Sequence, residues 1–341
     1  MNSGSKPSMV ISDNTTFIDA QTGLTKAVRL LGWTLLALMF VFVLNNFLNF
    51  GAGLPGAGGI LNPAGASALS WMQFAFYPLA VILAALHIFR SSGTSLRLDS
   101  EIITSYNTFF IRAAFWVVLL VGLVDMTISF LRVEDLLAGI VGDQLAGDLG
   151  RSHFRGPYVH MPIMALGIVV AMFTRTLGFH WLALLIVAAE LSIVLARFIF
   201  SYEQAFISDL VRFWYGALFL FASAYTLLEE GHVRVDVFYA SFNDKTKGLV
   251  NVVGSLFMGI VLCWTILLVG MQGKASIINA PIFNFETTQS GYGMYVKYMM
   301  AGFLAVFAIS MMIQFVSYLF NSVADVRGDS GKRIVEGAAA S

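Results

Sequence analysis

Two carboxylates lie inside runs of this chain that are otherwise apolar: Glu190, flanked by Ala188 and Ala189, and Asp125. An ionised carboxylate is costly in hydrocarbon, so intramembrane Asp and Glu face a bundle interior or a water-filled path. There they can serve as coupling-ion or proton sites. The competing reading is structural, a carboxylate bonded to a neighbouring helix or held neutral by burial. Five histidines raise a second chemistry, haem ligation, as in the membrane anchors of respiratory enzymes. His87 falls near one end of its apolar run and His160 near the opposite end of another. At helical rise their depths differ by roughly 20 Å, too far to share an iron. His87 with His180 is the better pair, but His180 sits in a short turn. No zinc spacing, phosphate loop or nucleophile elbow occurs, so the motifs imply no enzymatic activity, metal or cofactor. Any transport is then powered from outside the chain or by an ion gradient.

A third constellation is denser. Glu229-Glu230-Gly231-His232-Val233-Arg234-Val235-Asp236 is wedged between two long apolar runs. His232, Arg234 and Asp236 alternate with Val233, Val235 and Val237, so in an extended segment the polar three share a face. Arg234 and Asp236 can pair with each other or with helix ends. Read alone, the cluster is better taken as an ordinary surface loop with interfacial charges.

The elements that must position these groups follow from composition. The chain of 341 residues is 58% hydrophobic and 12% charged, with a mean hydropathy of +0.79. A soluble domain carries about 25% charged residues. Runs of roughly 20 apolar residues recur, the length needed to cross a bilayer as helix. The fold class is therefore all-α, a polytopic membrane bundle. Eight spans are expected over 27–50, 71–89, 108–131, 157–174, 179–200, 208–228, 248–269 and 295–320. The first is read as a retained signal-anchor, because its apolar run is longer than a cleaved signal would need.

With the N-terminus inside, thirteen Lys and Arg fall on the cytoplasmic side and seven on the other, which favours an N-in, C-in topology. Zero net charge gives no case for nucleic acid. The single cysteine, Cys263, excludes an intrachain disulfide. Val133, Leu136, Leu137, Ile140, Val141 and Leu145 recur at helical spacing with Glu134, Asp135 and Asp143 opposite them. That pattern predicts an amphipathic external helix near 133–148, covering the bundle or docking another protein. The chain thus divides into a cytoplasmic tail (1–26), four helices with that surface helix (27–178), a second set of four (179–325) and a polar tail (326–341) read as disordered.

The order of elements in the second half resembles a known family. Arg197-Phe198-Ile199-Phe200 is followed by Ser208-Asp209-Leu210-Val211-Arg212, a span with Gly216 and Ala224, then Gly231-His232-Val233-Arg234-Val235-Asp236. This resembles the small membrane subunit, of DctQ type, of tripartite ATP-independent periplasmic (TRAP) transporters. That family shows an aromatic-rich Arg element, an acidic-Leu-x-Arg element and a Gly-His-x-x-Val-Asp element around four helices. The likeness runs over residues 181 to 325. Where the family often has two consecutive acids, Ser208 precedes Asp209, and four spans come before the matching region. The resemblance implies a long-form scaffold subunit in a bacterial inner membrane. Its partners would be a large DctM-like subunit holding the substrate and sodium sites and a DctP-like periplasmic protein delivering an organic anion. On that basis Arg197, Asp209, Arg212, Gly231, His232, Arg234 and Asp236 are assembly residues and carry no chemistry. Two other readings remain: a self-sufficient carrier using Glu190 and Asp125, and a haem-bearing anchor.

Overall fold

A computed structural model describes residues 23–61, 66–175, 179–202, 205–228, 239, 241–287 and 293–331. Among these the chain is 84% helical without strands, which establishes the all-α class. Among the described residues eight helices are long and apolar enough to cross a membrane. In chain order the elements are α1 (Gly23–Asn46), α2 (Ala68–Arg90), α3 (Leu96–Val133), three short helices α4 (Leu137–Val141), α5 (Asp143–Leu149) and α6 (Ser152–Arg155), then α7 (Met161–Phe173) and α8 (Phe179–Phe200). They continue as α9 (Ala205–Leu228), α10 (Asp244–Val253), α11 (Val261–Met271), α12 (Asn279–Asn284) and α13 (Lys297–Arg327). A wide π-type turn joins α6 to α7 over Gly156–His160, and another joins α10 to α11 over Gly254–Ile260.

Local chemistry sets the ends. Ser67, Ser95 and Asn243 cap α2, α3 and α10 by accepting the backbone N–H three residues on. Gly328, at φ 76°, closes α13 in the left-handed conformation that glycine adopts without strain. The amphipathic stretch expected as one helix near 133–148 is two, because Gly142 at φ 84° breaks it between α4 and α5.

α3 and α13 are the longest helices and run against each other through the middle of the molecule. One apolar cluster gathers Phe115 and Val118 of α3, Leu182 and Ile186 of α8, Trp214 and Phe221 of α9 and Phe303 of α13. The other gathers Met39 of α1, Ile103 of α3, Leu267 of α11, and Val316 and Phe320 of α13. Helices from both halves of the chain thus share each core. α7 lies on α3 through Gly167 and Ala171, both buried. A Cβ on Gly167 would stand 2.9 Å from the Val117 backbone, so only glycine permits this approach.

Span ends shift accordingly. α3 starts twelve residues before the expected apolar run, at Leu96, because its first three turns are polar yet buried. Ser100 and Thr104 each reach the Ser317 hydroxyl at 2.7 Å, Asn321 donates to Ser100 at 2.7 Å, and Asn107 donates to Gln314 at 3.1 Å. Ser310, Gln314, Ser317 and Asn321 recur every three or four residues and form one polar stripe on α13.

Candidate functional site

Asp125 is the centre of the most elaborate polar cluster among the described residues. Its helix, α3, brings it to the end of the bundle where α6 turns into α7 and where the chain enters α13. Arg155 of α6 donates from Nη1 to Asp125 Oδ1 at 2.7 Å, and both residues are fully buried. His160 Nε2 lies 3.0 Å from the same oxygen, and the Tyr295 backbone N–H donates to Oδ2 at 2.8 Å. Three donors converging on one carboxylate are what an ionised, acceptor-only group requires. With Nε2 donating, His160 accepts the Tyr298 hydroxyl proton at Nδ1, across 2.7 Å.

The outer ring of the cluster is equally committed. Arg155 Nε donates to the Leu149 carbonyl at 2.7 Å, and Nη1 also reaches Ser129 Oγ at 3.2 Å. The Tyr295 hydroxyl donates to the Gly150 carbonyl at 2.8 Å and accepts a short bond from Arg132. The guanidinium carbons of Arg155 and Arg132 lie 4.3 and 4.9 Å from the Tyr295 ring centroid, within cation–π range. Asp209 of α9 then accepts the Met294 N–H at 3.1 Å. Two adjacent backbone donors ahead of α13 are therefore held by two carboxylates, Asp125 from the first half of the chain and Asp209 from the second.

A second buried pair sits at the other end of the bundle. Arg29 of α1 donates to Asp99 at 2.6 Å and to the Ser91 carbonyl at 2.8 Å, while Trp33 donates to Asp99 at 3.1 Å. Neither Arg29 nor Asp99 stands out in the sequence. Both lie at span margins, where charges usually mean solvent. Arg155 escapes notice in the same way, and His160 draws attention there only as a haem candidate. The one available signal for Arg155 is the presence of a buried acid needing a counter-charge on a nearby loop.

The remaining sequence candidates are dispersed. Glu190 does not face the bundle interior: α8 leans on its neighbours through Leu182 and Ile186, and Glu190 lies on the exposed side with Leu191, Val194 and Phe198. Asp125 and Glu190 therefore share no path. Arg197 and Arg212 are exposed, and Arg212 stands 3.9 Å from Asp209 one turn away. Gly231, His232, Arg234 and Asp236 lie outside the described residues. His87 is exposed and meets Trp33 edge-on at 4.8 Å, while both ring nitrogens of His160 are occupied by Asp125 and Tyr298.

What these elements can do follows from their geometry. The Asp125 cluster has the saturation of a staple, with every oxygen of the carboxylate bonded to a segment of the fold that has to be held still. Asp209 does the same for the adjacent backbone N–H. Residues 183–325 match the family described as tripartite ATP-independent periplasmic transporters, DctQ component. Those residues are the DctQ-like region of the chain, hereafter the DctQ region. No curated protein and no solved structure matches the chain. The DctQ region spans α8 to α13, so Asp209, Met294 and Tyr295 lie within it, while Asp125, Arg155 and His160 precede it. The cluster thus bonds α3 and the α6–α7 turn, which precede the DctQ region, to the entry of α13 within it.

Proposed function

We propose that this chain is the scaffold subunit of a TRAP-type secondary transporter in a bacterial inner membrane, with both termini cytoplasmic. A large membrane subunit carries the substrate and sodium sites, and a periplasmic binding protein delivers an organic anion. The observation that carries the reading is the match of residues 183–325 to the DctQ component.

The disposition of the intramembrane acids supports it. A self-sufficient carrier needs its carboxylates on a water-accessible path. Asp125 is fully buried and occupied by three donors. Glu190 points away from the bundle, beside exposed apolar side chains of α8. A carboxylate facing hydrocarbon is unfavourable, so that face favours a second membrane chain offering a donor or a cation. On this reading Glu190, Arg197 and Arg212 face the large subunit. Asp209 fixes the entry to α13, and the Gly231–Asp236 segment contributes to assembly.

The test is co-expression with the neighbouring transport subunits, extraction in mild detergent, and purification through a tag on this chain. The expected result is a stable complex with a large polytopic membrane protein and uptake that depends on a periplasmic binding protein. Recovery of this chain alone, or uptake by vesicles that contain only this chain, would overturn the reading.

A further inference from the structure

A cleft of about 370 Å³ opens between α7 and α13, over a floor formed by α3. Ala113 and Val117 line the floor, Met164 and Ile168 one wall, Gly302 and Val306 the other. Tyr298 closes one end, but its hydroxyl is turned into its bond with His160, so the cleft is lined by carbon. Its volume falls in the range of ligand pockets, about 300–1,000 Å³. An apolar cavity of this kind offers water no partner. In a membrane helix bundle the available apolar occupant is a hydrocarbon chain.

The other end of the cleft carries charge. Phe109 lines it there, and the guanidinium of Arg112 lies 5.6 Å from that ring centroid. Arg112 Nε donates to the Ala171 carbonyl at 3.0 Å, which anchors the side chain against the last turn of α7. Its two Nη atoms make no hydrogen bond to the described residues, and the residue is only half-buried. Thr174, which closes α7, keeps a hydroxyl without a partner among the described residues, and Arg175 after it is exposed. A helix-anchored guanidinium with both terminal nitrogens unused, at the mouth of an acyl-sized cleft, complements a phosphate ester attached to a hydrocarbon chain.

We propose that this cleft binds one anionic phospholipid, with an acyl chain between α7 and α13 and the phosphate on Arg112. The site joins α7, from the spans before the DctQ region, to α13 within it. It requires neither the scaffold reading nor any partner subunit.

The experiment uses the full-length chain purified in mild detergent, stripped of lipid by exchange, and titrated in native mass spectrometry with phosphatidylglycerol or with phosphatidylcholine of the same acyl chains. One phosphatidylglycerol per chain is expected to survive collisional activation at concentrations where phosphatidylcholine is lost. Arg112→Gln should weaken phosphatidylglycerol about tenfold, the scale of a charge-assisted hydrogen bond, and erase the headgroup preference. Gly302→Leu should exclude both lipids while the chain still elutes as a single species. A Cβ at Gly302 meets only Ile282 Cδ1, at 3.5 Å, and Gly302 lines the cleft, so the added side chain would occupy cleft space. The proposal fails if the two lipids are retained equally by the unsubstituted chain. It fails too if well-folded Gly302→Leu still holds phosphatidylglycerol, or if inorganic phosphate alone competes as well as the lipid.

Discussion

Asp125→Asn tests the joint between the two halves with almost no change in volume. Asn retains one oxygen, which can still accept from Arg155 Nη1 and His160 Nε2, now 2.7 and 3.0 Å from Oδ1. The second oxygen becomes an amide NH₂ facing the Tyr295 N–H, which today lies 2.8 Å from Oδ2, so donor meets donor. Arg155, with no exposed surface, loses its counter-charge. Stranding one member of a buried pair costs about 3–5 kcal/mol. Unfolding midpoints move by about 2–4 °C per kcal/mol in chains of 150–250 residues, and less in longer ones. The expected fall in apparent melting temperature is therefore roughly 5–10 °C, read as the loss of monodisperse protein after heating in detergent. Adding Arg155→Met removes the stranded charge and should restore at least half of that fall, because buried pairs exchanged for neutral groups of similar size are often near neutral. Lys297→Ala is the control: its pair with Glu286 at 3.1 Å is about half exposed on both sides, and its loss should change stability by less than about 1 kcal/mol. If Asp125→Asn melts like the unsubstituted chain, or the double variant is less stable than Asp125→Asn alone, the staple reasoning is refuted.

Four further outcomes are expected. Gly167→Leu forces α7 off the Val117 backbone and should cost at least about 1–3 kcal/mol in the same melt, whereas Gly216→Ala, whose Cβ would have no neighbour nearer than 3.8 Å, should be tolerated. Glu190→Leu should leave the melting of the isolated chain unchanged within about 0.5 kcal/mol yet lower co-purification of the large subunit several-fold; equal recovery of the complex removes α8 from the interface. Asp236→Ala should reduce the yield of assembled complex more than it alters substrate affinity in uptake assays, and the reverse pattern contradicts an assembly role for that segment. A chain beginning at Phe179 should run as aggregates on size exclusion, since it would present the Ser310, Gln314, Ser317 and Asn321 stripe to hydrocarbon; a monodisperse product would show that the DctQ helices stand alone.

Much of the architecture is legible because bilayer thickness writes itself into the sequence as apolar run length. All eight spans are recoverable that way, and their ends fail where burial is polar. The first turns of α3, with Asp99, Ser100, Thr104 and Asn107, have the hydropathy of a loop. They are helical because α1 and α13 present Arg29, Ser317, Asn321 and Gln314 to receive them. No local window of sequence contains both members of such a seam. The broken surface helix is a different failure: apolar spacing carries across Gly142, but the backbone there turns to positive φ. The family elements mark Asp209 and Arg212 without saying what they touch. Asp125 is visible as a costly group, and its partners are not, since Arg155, His160 and Tyr295 lie 30, 35 and 170 residues away.

Three of the four spans before the DctQ region, α1, α3 and α7, are thus packed into the core. α13 meets α9, α10 and α11 from its own region, and also α3 along the polar stripe and α1 at Gly32, where a Cβ would stand 2.4 Å from the Phe320 ring. The polar stripe on α13 is unfavourable against lipid and favourable only against a helix that returns its hydrogen bonds. α3 is that helix, and its own carboxylate then continues into the Asp125 cluster at the entry to α13. Asp209 of α9 holds the preceding N–H, so the start of α13 is positioned jointly by the DctQ region and by the spans before it. The proposed scaffold role would require helix ends that are held rigidly. Here that rigidity comes from hydrogen bonds that cross between the two halves, and the extra spans supply one half of each.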